Sequence, residues 1–129
     1  MKINYNYSNL LVRAEFKNKL NIIFDDSATG KSYFFRILES YCKENNISCR
    51  RYDYINYSNL QTDINAESEV LILDNADLYL TTELLDKLVS KHKLILICAH
   101  SLAQLPTSEL DYFTVNFTAN ALEVVADEF

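Results

Sequence analysis

The sequence predicts an α/β fold: a mainly parallel sheet, an N-terminal β-hairpin and C-terminal β-strands, all in one domain over residues 1–129. Three observations carry this. Apolar runs of strand length, Leu20–Phe24, Val70–Leu73 and Leu94–Cys98, alternate with segments of helical period. Val70–Leu73 is apolar without a break, as in a central parallel strand covered on both faces. The single glycine of the chain, Gly30, stands between the first such run and the first helical segment. Average usage would give roughly nine glycines in a chain of this length.

Elements follow in order. Residues 1–16 alternate polar and apolar: Ile3, Tyr5 and Tyr7 share one face of a strand, and Ser8-Asn9 are turn formers. Leu11–Phe16 suits a second strand. Lys17-Asn18-Lys19 turns the chain into Leu20–Phe24. The helix after Gly30 should run from about Lys31 to Asn45, with Phe34, Ile37, Leu38, Tyr41 and Cys42 as its apolar stripe and Asn45-Asn46 as its stop. Ile47 to Ile55 reads as a strand, and Asn56 to Glu69 as polar turns with a helical turn around Leu60. Val70–Leu73 ends at Asp74. Thr81 or Thr82 caps a helix striped by Leu84, Leu85, Leu88 and Val89, with Lys87, Lys91 and His92 at its C-terminal end. Leu94–Cys98 ends at Ala99-His100-Ser101. A helical turn over 101–105 stops before Pro106, and strands follow over 111–117 and 122–125. The pentapeptide Asn-Tyr-Ser-Asn-Leu occurs at 6–10 and at 56–60, with no wider repeat around it.

Composition limits the function. The net charge of −6 argues against a broad nucleic-acid surface, which needs clustered Lys and Arg, while leaving room for a small basic patch. Cys42, Cys49 and Cys98 form no C-x-x-C pair, as expected of free thiols in a reducing cytoplasm. No run reaches membrane-spanning length, and the N-terminus lacks the apolar block of a signal peptide.

The segment Leu20–Leu38, LNIIFDDSATGKSYFFRIL, joins a strand to a helix through a turn ending in Gly30-Lys31-Ser32. Such a turn points backbone N–H groups and the positive end of a helix at one spot, and a lysine adds a full charge there. The result is a phosphate cradle. With Val70–Asp74 and Leu94–Ser101, this segment resembles the core of the P-loop NTPase superfamily, in its AAA+/ABC-like branch. The resemblance implies a three-layer P-loop NTPase-like core binding ATP (or GTP) with Mg²⁺. Residues Asp26, Ser27, Ala28, Thr29, Gly30, Lys31, Ser32 and Tyr33 would line the nucleotide. Lys31 would meet the β- and γ-phosphates, Ser32 would bind the metal directly, and Asp74 would hold it through water.

Departures from the pattern lower the expected activity. Asp25 stands where the loop's first glycine belongs, and a carboxylate about 5 Å from a phosphate charge costs about 3 kcal/mol at an effective dielectric near 20. Asn75 follows Asp74 where the resembled families place a glutamate that polarises water. Asparagine orients water but accepts no proton. Asp77 is a candidate substitute, and His100 or Ser101 a candidate γ-phosphate sensor. Arg36, Arg50 and Arg51 read as solvated surface residues or as arginine fingers toward a neighbouring subunit. The residues after Phe117 are expected to form no helical lid, and no L-S-G-G-Q signature stands between Lys31 and Asp74. The expected function is therefore a small cytoplasmic nucleotide-binding protein with slow or absent hydrolysis, a regulatory or accessory ATPase with a protein partner or a second copy of itself. The alternatives are a degenerate fold used as an interaction module, and a DNA-replication or mobile-element accessory ATPase active only in a complex.

Overall fold

A computed structural model describes residues 1–24, 28–99 and 110–126. Among the described residues eight strands join one sheet: β1 (Lys2–Tyr7), β2 (Leu10–Glu15), β3 (Leu20–Phe24), β4 (Cys49–Tyr52), β5 (Ser68–Leu73), β6 (His92–Cys98), β7 (Leu110–Phe117) and β8 (Ala121–Ala126). Their spatial order is β1-β2-β8-β7-β3-β6-β5-β4. The described helices are α1 (Ala28–Glu44), α2 (Asn59–Thr62) and α3 (Thr82–Val89), with a 3₁₀ turn at Ala76–Leu78.

This architecture corrects the predicted fold class. The chain forms a mixed sheet curled into a half-barrel with few helices, not a three-layer P-loop NTPase-like core with a mainly parallel sheet. The reason lies in the terminal strands and the short crossovers. The N-terminal hairpin and the C-terminal strands are integral to the sheet: β8 runs parallel to β2 and antiparallel to β7, and β1 antiparallel to β2. Between β4 and β5 the only helix has four residues, and between β5 and β6 the longest has eight. Helical coverage is thin beside a sheet of eight strands.

The curl follows from contacts of α1 with both edges. Eight strands spaced about 4.8 Å apart would span roughly 34 Å if flat, three times the diameter of a helix. Yet α1 touches β1 through Tyr41–Tyr5 and Tyr33–Tyr7, and β4 through Arg51 with Glu39 and Phe35. Tyr33 and Phe35 differ by two residues, about 200° around the helix, so these contacts leave its opposite sides. Phe34 and Leu38, between them, are buried against the sheet. The sheet wraps α1 as a hand wraps a rod.

Strand alternation sorts the core into two clusters. Ile23, Val70, Ile72, Leu96 and Cys98 face α1, while Ile22, Leu71, Leu73, Ile95 and Ile97 face α2, α3 and the 3₁₀ turn. Boundaries have local causes. The hairpin turn places Ser8 and Asn9 at φ 48° and 67°, the conformations a two-residue hairpin loop requires. Just past the end of α1, Asn46 takes φ 56° and the Ile47 amide donates to the Cys42 carbonyl in a Schellman closure. The predicted strand 47–55 shortens to Cys49–Tyr52, because the Asp53 carboxylate accepts the Ile55 and Asn56 amides and turns the chain. Thr81 caps α3, its hydroxyl accepting the Leu84 amide at 3.1 Å. His92 is not at a helix end as expected; it opens β6 and is buried. Among the described residues no helix is long and apolar enough to cross a membrane.

Candidate functional site

Strands β3, β6 and β5 run parallel, so their carboxyl ends lie at one end of the sheet. Ile23 pairs with Cys98, and Ile97 with Leu73, which sets Asp74 beside Cys98 at the next step. Asp74 points to the α1 side, two residues beyond Ile72. Lys31, in the first turn of α1, lies on the stripe it shares with Phe35 and Glu39 at steps of four residues. That stripe faces β4, β5 and β6.

Lys31 and Asp74 therefore both lie close to Cys98. Both are buried, at 4% and 5% exposure. Burial pushes the Cys98 thiol up to about 11; the charge and hydrogen bond of Lys31 oppose that rise, and the Asp74 charge adds to it. The Asn75 amide also approaches Cys98.

Both carboxylate oxygens of Asp74 have donors. Oδ2 accepts from Arg51 Nη2 at 3.3 Å, and Oδ1 accepts from the Asn75 amide at 3.0 Å. Arg51 holds Glu39 with its other nitrogen, Nη1 to Oε1 at 2.8 Å, and its guanidinium lies 5.7 Å from the Phe35 ring centre. Burial alone would draw the Arg51 guanidinium down, but Glu39 and Asp74 outweigh it and hold it above its ordinary value. The site is a ladder of charge between helix and sheet: Asp74, Arg51 and Glu39 are ion-paired, and Lys31 adds a fourth charge on the Cys98 side.

Arg51 escaped the sequence reading, which left it solvated or in a neighbouring subunit. Period-two alternation contained the signal. Arg50 and Arg51 must face opposite sides of β4, so one of them meets α1. Arg50 is the outer one, 3.9 Å from Asp63 with both side chains substantially exposed.

The other expected site residues are distributed as follows. Asn75 is half-buried in the left-handed region, φ 52°, at the start of the 3₁₀ turn, and Asp77 is exposed within that turn. Ser32 is exposed. Tyr33 turns away from Asp74 and packs edge-on against Tyr7 and Phe117. The backbone of Ala28, Thr29 and Gly30 forms the start of α1. Asp25, Asp26, Ser27, His100 and Ser101 lie outside the described residues.

Beside the ladder, Tyr79 ties the ends of β4 and β5. Its hydroxyl lies 2.7 Å from the Asp74 carbonyl and 3.2 Å from the Tyr52 carbonyl, and burial together with the Asp74 charge raises its pKa. Its ring stacks on Tyr57 with centres 5.3 Å apart. A separate groove of about 580 Å³ on the outer half of the sheet is lined by Lys2, Arg13, Glu15, Asp111 and Glu123 among others. Its mixture of charges defines no ligand class. Among the described residues no group of three or more His, Cys, Asp or Glu is placed to hold a metal ion.

Comparison with protein-family models, with curated proteins and with solved structures finds no match.

Proposed function

We propose that this chain binds a nucleotide, ATP (or GTP), with its phosphates at the first turn of α1 and Lys31 as their counter-charge. The observation that carries this reading is the convergence of Lys31 and Asp74, distant in sequence, on Cys98 at the carboxyl end of three parallel strands. Ligands of α/β sheets gather at such ends. A buried lysine in the first helical turn adds a full charge to the amides and the helix dipole.

The same surroundings favour slow or absent hydrolysis. The Asn75 backbone N–H donates to Asp74, and its side chain takes up no proton. The role that follows is a regulatory or accessory nucleotide-binding protein of the cytoplasm. Calorimetric titration with Mg-ATP tests it. Heat of binding in the wild type, lost in Lys31→Ala with the circular dichroism spectrum retained, supports it. No heat and no thermal shift at millimolar nucleotide discards it.

A second reading, an interaction module without turnover, has one observation of its own. Tyr54, Ile55 and Leu78 are exposed at 58%, 73% and 67%, and the Tyr57–Tyr79 stack brings their two segments together near Asp74. A protein partner or a second copy of the chain is the occupant this reading requires. Partner affinity that ignores ATP would favour it over the first.

A further inference from the structure

We infer that Arg51 occupies the cation position on Asp74 where the sequence resemblance puts Mg²⁺, so that phosphate binding at Lys31 is independent of metal. The inference rests on the nucleotide reading above and deepens it.

The donor set of Asp74 is the starting point. Each oxygen of Asp74 already accepts one hydrogen bond, from Arg51 and from Asn75, so a divalent cation, or a water that it holds, would have to share the carboxylate with the guanidinium. The guanidinium is not a side chain swinging in solvent. It is held on one flank by Asp74 and on the other by Glu39, and Phe35 lies against it. To release Asp74 to a metal, Arg51 would have to leave a partly buried position while Glu39 kept hold of it. A divalent ion sharing the carboxylate with Arg51 would meet a positive charge that never deprotonates.

Charge balance points the same way. Lys31 and Arg51 contribute two positive charges, Asp74 and Glu39 two negative ones, and the four alternate along one face of α1. The ladder is neutral without a metal. Ser32, the other expected metal ligand, is exposed, one residue and about 100° around the helix from Lys31. A phosphate arriving at the first turn of α1 finds Lys31 and the helix amides as its positive partners, and Asp74 already neutralised behind them.

The test is calorimetric titration of the full chain with ATP, once in EDTA and once in excess Mg²⁺, repeated with Arg51→Met. Wild-type dissociation constants in the two buffers are expected to agree within about threefold, whereas Arg51→Met should bind at least about tenfold more tightly with Mg²⁺ than without. Wild-type binding that requires Mg²⁺ overturns this inference and leaves the nucleotide reading standing. Binding in neither buffer overturns the nucleotide reading and this inference with it. An Arg51→Met protein as indifferent to Mg²⁺ as the wild type removes Arg51 from the explanation. The wild-type comparison decides the metal question even where the variant fails to fold.

Discussion

Arg51→Met should destabilise the protein by about 3–4 kcal/mol, whereas Arg50→Met, one residue away, should cost at most about 0.5 kcal/mol. The figures come from the two environments. Asp74 has a side chain only 8% exposed, and removing its cation leaves a buried carboxylate with the Asn75 amide and the neighbouring Lys31. Stranding one member of a buried pair costs about 3–5 kcal/mol, and those remaining partners place this case at the lower end. Glu39 is 44% exposed, so its share is discounted to less than about 1 kcal/mol. The cation–π contact with Phe35, about 0.5–1 kcal/mol, is largely replaced by the contact of a methionine sulfur with the same ring. Arg50 and Asp63 are 42% and 35% exposed and 3.9 Å apart, a solvated pair. Urea titration read by circular dichroism measures the difference. With a slope of about 2 kcal/mol per molar, Arg51→Met lowers the midpoint by about 1.5–2 M. If the two variants shift the midpoint equally, or Arg51→Met shifts it by less than about 0.3 M, the ladder is a surface ornament and the reasoning fails.

Three further outcomes are expected. Burial, then the Arg50 charge, depresses His92 below its ordinary value, so the stability it contributes is complete above about pH 6.5 and falls as pH drops through the lower folded-state value. His92→Gln, which can still donate to Ser68, should therefore lose less thermal stability than the wild type between about pH 7.5 and pH 5. Phe34→Ala, at a fully buried ring against the sheet, should cost about 3–5 kcal/mol in urea titration. Asn75→Val places a β-branched residue at φ 52° and should cost about 1–3 kcal/mol, whereas Asn75→Gly should be close to neutral, as read by thermal melts.

Much of the chain was legible because its elements carry their own local signals. The apolar runs of β3, β5 and β6, the stripe of α1, the Asn45-Asn46 stop and the Thr81 cap each rest on neighbours within a few residues. What could not be read is set by contacts distant in sequence. The repeated Asn-Tyr-Ser-Asn-Leu makes the point. At 6–10 it is strand, turn and strand, because β1 pairs with β2, while at 56–60 it is a turn entering α2. The same five residues take whichever conformation their surroundings stabilise. The sheet order has the same origin: nothing local in Ala121–Ala126 says that it inserts between β2 and β7. Arg51 and His92 were misread for a related reason, since each buries its charge or ring against a partner on another element, Asp74 and Ser68 respectively.

The energetics of buried ion pairs give the charge ladder its significance. Replacing such a network by apolar residues of similar volume is commonly neutral or stabilising, because desolvation offsets most of the Coulomb attraction. Leucine or methionine at the positions of Lys31, Glu39, Arg51 and Asp74 would hold α1 in the curl of the sheet at least as firmly. Phe34, Phe35, Ile37 and Leu38 already do so, each no more than 1% exposed. Anchoring the helix therefore does not explain Lys31 and Glu39 on this face of α1, or Arg51 and Asp74 opposite them on the sheet. The anionic ligand proposed above would, by reaching the ladder at its Lys31 end, where the first turn of α1 and the ends of β3, β5 and β6 meet. At the opposite end, Arg51 bridges Glu39 and Asp74, so that on the proposed reading Asp74 would stay neutralised with or without the ligand.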